Sequence, residues 1–173
     1  VIGAVAGAAV GGAIGYSMDN QAKEVAESLN TNVNNNPTAA LDPNQDLIVS
    51  NTDNYVKIMF RDDMMFETNS ENPTYAAGTK IAKITTVLQK YPNTLVQVVG
   101  HTDSRGTHAY NLTLSEKRAT NVGNIINNTG VQNQIFSKGC SFDKPIAPNT
   151  SDANMGLNRR VEVYLYPNQQ SVI

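Results

Sequence analysis

Tryptophan is absent from this chain of 173 residues, and cysteine occurs once, at Cys140. A single cysteine excludes a disulfide within the chain, a cysteine-rich zinc cluster and a Cys-x-x-Cys redox pair. The simplest interpretation of Cys140 is a small, buried apolar side chain. The lack of tryptophan also removes the usual aromatic platform for a sugar, which weakens any assignment as a glycoside-cleaving enzyme.

Charge is scarce as well. Charged residues make up 16% of the chain and the formal net charge is -2, whereas charged residues form roughly 25% of an average soluble domain. Without a basic field the sequence predicts no nucleic-acid partner. Asparagine, serine and threonine supply the polar surface instead. The length suits one domain of ordinary size with a tail, long enough to bury a core.

The first eighteen residues carry no charge, and glycine recurs there at every fourth position: Gly3, Gly7, Gly11 and Gly15. On a helix this spacing places the glycines on one face, where another helix can approach closely, as in membrane GxxxG packing. Eighteen helical residues extend about 27 Å, which is close to the thickness of a hydrocarbon core. Three interpretations stay open: a membrane-associated glycine zipper that packs on itself or a partner, a flexible low-complexity linker, or part of a longer apolar segment.

We therefore predict three regions. Residues 1–29 form a glycine-zipper, membrane-associated helical segment, residues 30–45 an asparagine-rich linker, and residues 46–173 the globular domain. The sequence begins with Val1 rather than methionine, so we expect any signal peptide or lipid-bearing cysteine to lie upstream.

Within the domain, alternation and β-branched residues predict strands, and apolar spacing of three and four predicts helices. We expect strands over 54–60, 94–100, 135–140 and 159–166, and helices over 73–90 and 113–128. The pieces 64–70 and 141–157 are expected to be extended or loop. The resulting βαβαββ order predicts an α+β fold, a mixed sheet with helices on one face.

One arginine breaks two helix rules. Arg118 lies between Leu114 and Val122 on the apolar face, and close to the expected helix start at Thr113, where cations are disfavoured. Such violations are typical of functional positions. A partly buried arginine needs a carboxylate, and Asp103 follows the preceding strand at the right end to supply one.

The last strand adds a second arginine. Alternation places Arg159 on the inward face with Val161, whereas Arg160 points the other way with Glu162. Two arginines and an aspartate at the edge of a core suit a zwitterionic ligand, with Asp103 taking an ammonium group and the arginines taking carboxylates. A plain Asp103–Arg118 ion pair that orients the loop stays open as the alternative.

The motif GHTDSRG…YNLTLSEKRA…NRRV resembles the OmpA C-terminal-like domain over residues 56–166. The resemblance implies that family's fold and its binding of the diaminopimelate residue in the peptidoglycan stem peptide. The family's key aspartate and arginines match Asp103, Arg118 and Arg159. Thr102, Asn111 and Leu114 match further positions that line or shape the site. Glu67 is a departure from the pattern, because the family usually has an aspartate at this position.

The resemblance also implies a setting and partners. The chain is similar to lipoproteins of the Gram-negative outer membrane whose domain lies in the periplasm, with peptidoglycan and the membrane as partners and self-association through the glycine zipper. No metal, cofactor or catalytic residue is predicted, because His101 and His108 lack further ligands and no nucleophile motif is present. The alternatives are a stator-like or other envelope-machine subunit, which uses the domain as a wall anchor, and an envelope hydrolase.

Overall fold

The computed structural model describes the backbone of residues 8–167 and the side chains of residues 16–167. It contains a long first helix, a five-stranded sheet and two further long helices, with a 3₁₀ turn at Ala39–Leu41 and two short helices beside them. In chain order the elements are α1 Ala8–Ser28, β1 Leu47–Asn51, β2 Val56–Arg61, α2 Asp62–Met65, α3 Tyr75–Leu88, β3 Leu95–His101, α4 His108–Asn128, β4 Ile135–Gly139, α5 Asp152–Asn158 and β5 Arg160–Tyr166.

The strands lie in the order β1-β2-β5-β3-β4. Only the β3–β4 pair among the described strands is parallel, and the other neighbours are antiparallel. Alternate residues of β2, β3 and β5 point to one face, where α1, α3 and α4 contribute to the same buried cluster. The α+β mixed sheet with its long helices on one face is therefore confirmed.

One strand and one short helix were not predicted from the sequence. Strand β1 pairs along the outside of β2, with Leu47 opposite Phe60, and its five residues are too short to stand out from the polar stretches around them. Helix α5 lies inside the region expected to be a loop, and the Ser151 side chain caps it by accepting the backbone N–H of Asn154. Such an N-terminal cap satisfies a helix donor that has no partner within the helix.

Helix α4 begins earlier than predicted. The Thr107 side chain accepts the backbone N–H of Tyr110 and caps the helix, so Thr113 lies inside it. Arg118 consequently lies in the middle of the helix, and the expected conflict with the helix N-terminus is wrong. The extended piece expected over 64–70 is also corrected, because residues 62–65 form the helical turn α2.

The described part of α1 belongs to the same core as the sheet. Four of its apolar side chains and the residue after it are 0–8% exposed: Met18, Ala22, Val25, Ala26 and Leu29. The stretch expected to be a linker is packed rather than free, because Val33 bridges Val49 and the Asn34 N–H donates to the Val49 carbonyl (2.8 Å). The domain boundary near residue 46 remains a prediction. These contacts favour a boundary closer to the N-terminus.

The glycine zipper falls largely outside the part of the chain that is described. Gly3 and Gly7 precede it, and Gly11 and Gly15 lie within the backbone of α1. Across residues 8–167, no helix combines the length and the apolar character needed to cross a membrane.

Candidate functional site

Three chain segments meet at one end of the sheet. Strand β2 ends at Arg61 and β3 ends at His101, and both pair with Arg160 at the start of β5. The residues just outside these positions, Asp62, Asp103 and Arg159, are therefore neighbours although they are far apart in sequence. This topology assembles a charged site from strand ends.

Helix α4 lies unusually close to the sheet at this end. A β-carbon on Gly100 would lie 2.4 Å from the Ser115 carbonyl oxygen, and one on Gly139 would lie 2.4 Å from the Glu116 N. The two glycines thus leave room for the helix backbone. The Ser115 hydroxyl also accepts the Ser141 N–H (3.0 Å), so the helix is fixed against the strand ends that carry the site.

Asp103 is 5% exposed and its carboxylate is held by two arginines. Arg105 donates to it from its backbone N–H (2.9 Å) and from side-chain Nε (3.2 Å) and Nη2 (2.9 Å). Arg159 Nη1 donates at 2.7 Å. The Asn111 amide donates to the Arg105 carbonyl (2.7 Å) and the Thr107 carbonyl (3.0 Å), which fixes the loop that presents the aspartate.

These contacts decide the ionisation of Asp103. Burial alone would raise the pKa of its carboxyl, but hydrogen bonds from Arg105 and Arg159 outweigh burial and hold that pKa below its ordinary value. The site therefore presents a carboxylate, not a carboxylic acid, at neutral pH.

Arg118 has a different partner from the one expected. Its Nη1 donates to Asp62 Oδ1, its Nε donates to the Ser70 carbonyl (2.9 Å), and its guanidinium carbon lies 4.5 Å from the Phe66 ring centroid. Burial lowers the pKa of Arg118 and Asp62 opposes that change, but a guanidinium stays charged. The direct Asp103–Arg118 ion pair considered from the sequence is wrong, because Asp62 is nearer to the arginine.

A cavity of about 410 Å³ lies between these groups. Its lining includes three acids and three arginines, so its formal charge is balanced. The lining residues are Asp62, Asp63, Thr68, Asn69, Thr102, Asp103, Arg105, Tyr110, Asn111, Leu114, Arg118 and Arg159. Separated positive and negative groups in one cavity suit a ligand that carries both charges.

Six of the seven residues predicted from the sequence line this cavity: Thr102, Asp103, Asn111, Leu114, Arg118 and Arg159. Arg159 lies on the cavity side and Arg160 contacts Glu162 on the other face, as alternation predicted. Glu67 is exposed and is not among the lining residues. Its neighbours Thr68 and Asn69 form that wall instead.

Sequence reasoning missed Asp62 and Arg105. Asp62 stands directly after the buried strand β2, which is the same signal that singled out Asp103. Arg105 follows Asp103 by two residues, a spacing at which a turn brings a backbone N–H and a side chain back to a carboxylate. The pairing of Asp62 with Arg118 joins residues 56 positions apart and needs the sheet order to be known.

Comparisons with known proteins bear on the family and the fold of this chain. The sequence pattern of the OmpA family matches residues 65–159, which is more than half of the chain. The probable lipoprotein YiaD of Escherichia coli is 36% identical over 103 residues, which cover 59% of this chain and 47% of that protein. A peptidoglycan-associated lipoprotein of Buchnera aphidicola is 33% identical over 96 residues, covering 55% of this chain and 54% of that protein.

A solved structure, the cell wall anchor of the T6SS from Pseudomonas aeruginosa, superposes with a TM-score of 0.64 at 28% identity. The match covers 71% of this chain and 89% of that one. The chain belongs to the OmpA family. Its matched region spans about half the length of the curated lipoproteins.

Proposed function

We propose that this domain binds peptidoglycan non-covalently, through the diaminopimelate residue of the stem peptide. The observation that carries the proposal is the charge-balanced cavity in which Asp103 lies beside Arg159 and across from Arg118. Two relatives point the same way, since one is named a peptidoglycan-associated lipoprotein and another a cell wall anchor. No catalytic step is assigned.

The side-chain end of diaminopimelate carries an ammonium group and a carboxylate on one carbon. Asp103 is ionised and accepts the ammonium, while Arg159 donates to the carboxylate in the paired geometry that guanidinium groups favour. Arg118 adds its Nη2 group, because its Nη1 and Nε already donate to Asp62 and to the Ser70 carbonyl. Lysine has the ammonium but lacks that carboxylate. The domain therefore prefers a diaminopimelate-type wall to a lysine-type wall.

Binding of the ligand also requires that one existing hydrogen-bonded contact of Asp103 breaks. Both carboxylate oxygens of Asp103 already accept hydrogen bonds, and Arg105 makes most of them. The Arg105 side chain is 59% exposed, so rotating it away from Asp103 and out into the solvent costs little free energy. An incoming ammonium replaces this side chain, whereas the more enclosed Arg159 stays in place.

The proposed role is a tether between the outer membrane and the cell wall. The domain would lie in the periplasm of a Gram-negative cell, and the N-terminal segment would associate with the membrane or with a second copy through its glycines. The lipoprotein relatives support this placement. Residues 16–29 pack on the domain, so an attached membrane would lie at a defined position relative to the binding cavity.

A second candidate is a wall-anchoring subunit of a larger envelope machine. The observation in its favour is the similarity to the T6SS cell wall anchor. Both functions use the same cavity, and they differ in what the remainder of the chain contacts. Cross-linking in cells distinguishes them: capture of a multi-protein membrane complex supports the machine, and its absence supports the tether.

The test of binding is co-sedimentation of the full chain with purified diaminopimelate-type and lysine-type peptidoglycan. Asp103→Asn keeps the shape of the side chain and removes its charge, and Glu67→Gln removes an exposed charge outside the cavity. We expect the wild type and Glu67→Gln to sediment with the diaminopimelate wall and Asp103→Asn to stay in solution, with unchanged circular dichroism. Equal sedimentation with both walls would refute the ligand, and no sedimentation at all would refute wall binding.

A further inference from the structure

The outer face of the sheet, opposite the long helices, holds a second cavity. Its volume is about 400 Å³, and it does not share a lining residue with the first cavity. The residues around it come from β2, β3, β4, β5 and the loop after β4: Lys57, Gln97, Val99, His101, Lys138, Cys140, Lys144, Pro145, Ile146, Arg160, Glu162 and Tyr164. We call it the outer-face cavity.

A buried ionic network forms one side of the outer-face cavity. Glu162 is 4% exposed and lies 2.8 Å from Lys57 Nζ, 2.7 Å from His101 Nε2 and 3.5 Å from Arg160 Nε. Replacing such a buried network with apolar residues is often neutral or stabilising. Its presence on a sheet face that apolar side chains could fill therefore calls for a role beyond stability.

The charge around this cavity is strongly unbalanced. Four basic residues face the single carboxylate of Glu162, in a chain whose net charge is -2. Lys57 and Arg160 share that carboxylate. Lys138 and Lys144 are exposed and have no ion-pair partner among the described residues. Two free ammonium groups thus flank a positively charged floor, and a concave cationic site concentrates anions.

One buried polar atom of a lining residue also lacks a hydrogen-bond partner. His101 is 5% exposed, and within residues 16–167 its Nδ1 has no hydrogen-bond partner while Nε2 faces Glu162. A neutral imidazole that donates from Nε2 presents Nδ1 as an acceptor. Nδ1 is itself closed off from solvent, so a ligand in this cavity reaches the Lys138 and Lys144 ammonium groups instead and must carry negative charge.

Phosphate meets this need, because both its monoesters and its diesters are anions at neutral pH. A carboxylate is best held by a guanidinium fork. The Arg160 fork is not free for that role, because Nη1 donates to the Asn158 carbonyl (2.9 Å) and Nη2 to the Lys144 carbonyl (2.9 Å). Lysines act as point charges for phosphate.

We infer that the outer-face cavity is a binding site for a phosphate group, held by Lys138 and Lys144 over the Glu162 network. The group can come from a soluble phosphate compound or from a phospholipid headgroup. This site lies on the other face of the sheet from the proposed wall-binding cavity, so its occupation and wall binding are independent functions of the domain.

The experiment is a titration of the ¹⁵N-labelled full chain with inorganic phosphate at constant ionic strength, compared with sodium chloride. We expect saturable shifts of backbone amides in residues 138–146 with phosphate only. Lys138→Gln with Lys144→Gln should weaken binding by about tenfold or more, because the double variant removes both ammonium groups that hold the anion. The control is Lys23→Gln with Lys83→Gln, which removes the same charge from two exposed lysines elsewhere and should bind like the wild type.

A second arm identifies the source of the phosphate. Co-sedimentation with phosphatidylglycerol vesicles that depends on Lys138 and Lys144 supports a lipid headgroup, and phosphate binding without such co-sedimentation supports a soluble compound. Shifts that grow linearly without saturation, or that also occur with chloride, overturn the site. Equal weakening in the control pair overturns it too, because net charge alone would then explain the binding.

Discussion

At the scale of single residues, the site depends on how three arginines are shared between two buried aspartates. Arg105 and Arg159 hold Asp103, and Arg118 pairs with Asp62. Each carboxylate thereby keeps a cation beside it in a poorly hydrated place, which isolated buried charges could not do. The arrangement leaves both signs of charge in the cavity while Asp62 and Asp103 are each paired with an arginine.

The first prediction concerns Asp62. Its side chain is 11% exposed and that of Arg118 is 6% exposed, so Asp62→Ala leaves an uncompensated buried guanidinium. We expect the free energy of unfolding to fall by about 2–4 kcal/mol, measured by urea denaturation. Glu71→Ala is the control, because its ion pair with Lys117 is about half exposed on both sides and such pairs contribute at most about 1 kcal/mol. A loss for Asp62→Ala no larger than for Glu71→Ala would contradict the pairing.

A second prediction follows from the ionisation of Glu162. Burial would raise the pKa of this carboxyl, but the His101 hydrogen bond and the charges of Arg160 and Lys57 lower it well below its ordinary value. A lowered folded-state pKa gives stability that is complete above the unfolded value of about 4.3 and is lost as pH falls through the folded value. The wild type should therefore lose stability steeply below about pH 5.

The check is the free energy of unfolding at pH 5 and at pH 3.5 for the wild type and Glu162→Gln. The variant is less stable at neutral pH, yet its stability should change less across this window because its side chain cannot titrate. Burial also lowers the pKa of His101, so protonation of the unfolded chain at this residue reduces stability from about pH 6.5 downward. His101 is present in both proteins, and the difference between their pH dependences therefore reports on Glu162. The control variant Glu67→Gln should keep the pH dependence of the wild-type unfolding free energy. An equal pH dependence in Glu162→Gln would count against the network.

At the scale of helices and strands, much could be predicted from sequence because the signals are local. The β-branched run 94–100 and the alternation over 159–166 correspond to β3 and β5, and the spacing of Ala77, Ile81, Ile84 and Leu88 corresponds to the buried side of α3. These patterns reflect burial on one face, which sequence records directly. The side assignment of Arg159 and Arg160 succeeded for the same reason.

What could not be predicted depends on contacts between distant segments. Strand β1 is defined by its pairing with β2, and the stretch 30–45 is ordered by contacts such as Val33 with Val49. The partner of Arg118 is Asp62, which directly follows β2. Only the order of the strands in the sheet shows that these two residues are close. Two carboxylates, Asp62 and Asp103, were equally plausible partners until that order was known, and the sequence reasoning considered only Asp103.

The third prediction tests the close approach of α4 to the sheet. Gly100→Ala places a β-carbon 2.4 Å from the Ser115 carbonyl oxygen, so the helix that carries Asn111 and Arg118 must move. We expect a loss of about 1–3 kcal/mol or more in unfolding free energy, and weaker binding to the diaminopimelate wall. Both are measured on the full chain, by urea denaturation and co-sedimentation.

Gly78→Ala supplies the matched control in α3. The new β-carbon would meet only Ile125 Cδ1, at 3.9 Å, which is ordinary contact. Alanine favours a helix interior over glycine by about 1 kcal/mol, so this variant should be slightly more stable and should bind as the wild type does. Similar destabilisation by both changes would mean that the spacing between α4 and the sheet has no special role.

At the scale of the whole molecule, the sheet separates two charged environments. The adjacent residues Arg159 and Arg160 point to opposite faces at the start of β5. On the helix-covered face, acids and arginines balance around the first cavity. On the outer face, basic residues exceed acids. A chain with a net charge near zero thus carries a charge-balanced cavity and a basic cavity on opposite faces of the sheet. Under the two proposals, the sheet keeps their ligands apart.

The last prediction concerns where the folding unit begins. A chain that starts at residue 46 keeps every strand of the sheet but loses α1 and the stretch after it. The Met18, Val25 and Leu29 side chains of this region are buried in the shared core. Fully burying such side chains contributes roughly 1.5–3 kcal/mol each. We expect the 46–173 chain to be less stable than the 16–173 chain by about 4 kcal/mol or more, or to fail to fold, as measured by urea denaturation.

The comparison between these two truncations isolates residues 16–45, which hold the described part of α1 and the packed stretch after it, because both chains lack the glycine-rich residues 1–15. If the 46–173 chain matched the 16–173 chain in its urea midpoint, α1 would be a dispensable appendage and the domain would begin near residue 46 as the sequence predicts. If the shorter chain is weakened as expected, the helix is part of the domain. The segment before residue 16 would then be held directly by the folded unit, and a pull on the membrane end would reach the wall-binding cavity through packed helices rather than through a slack linker.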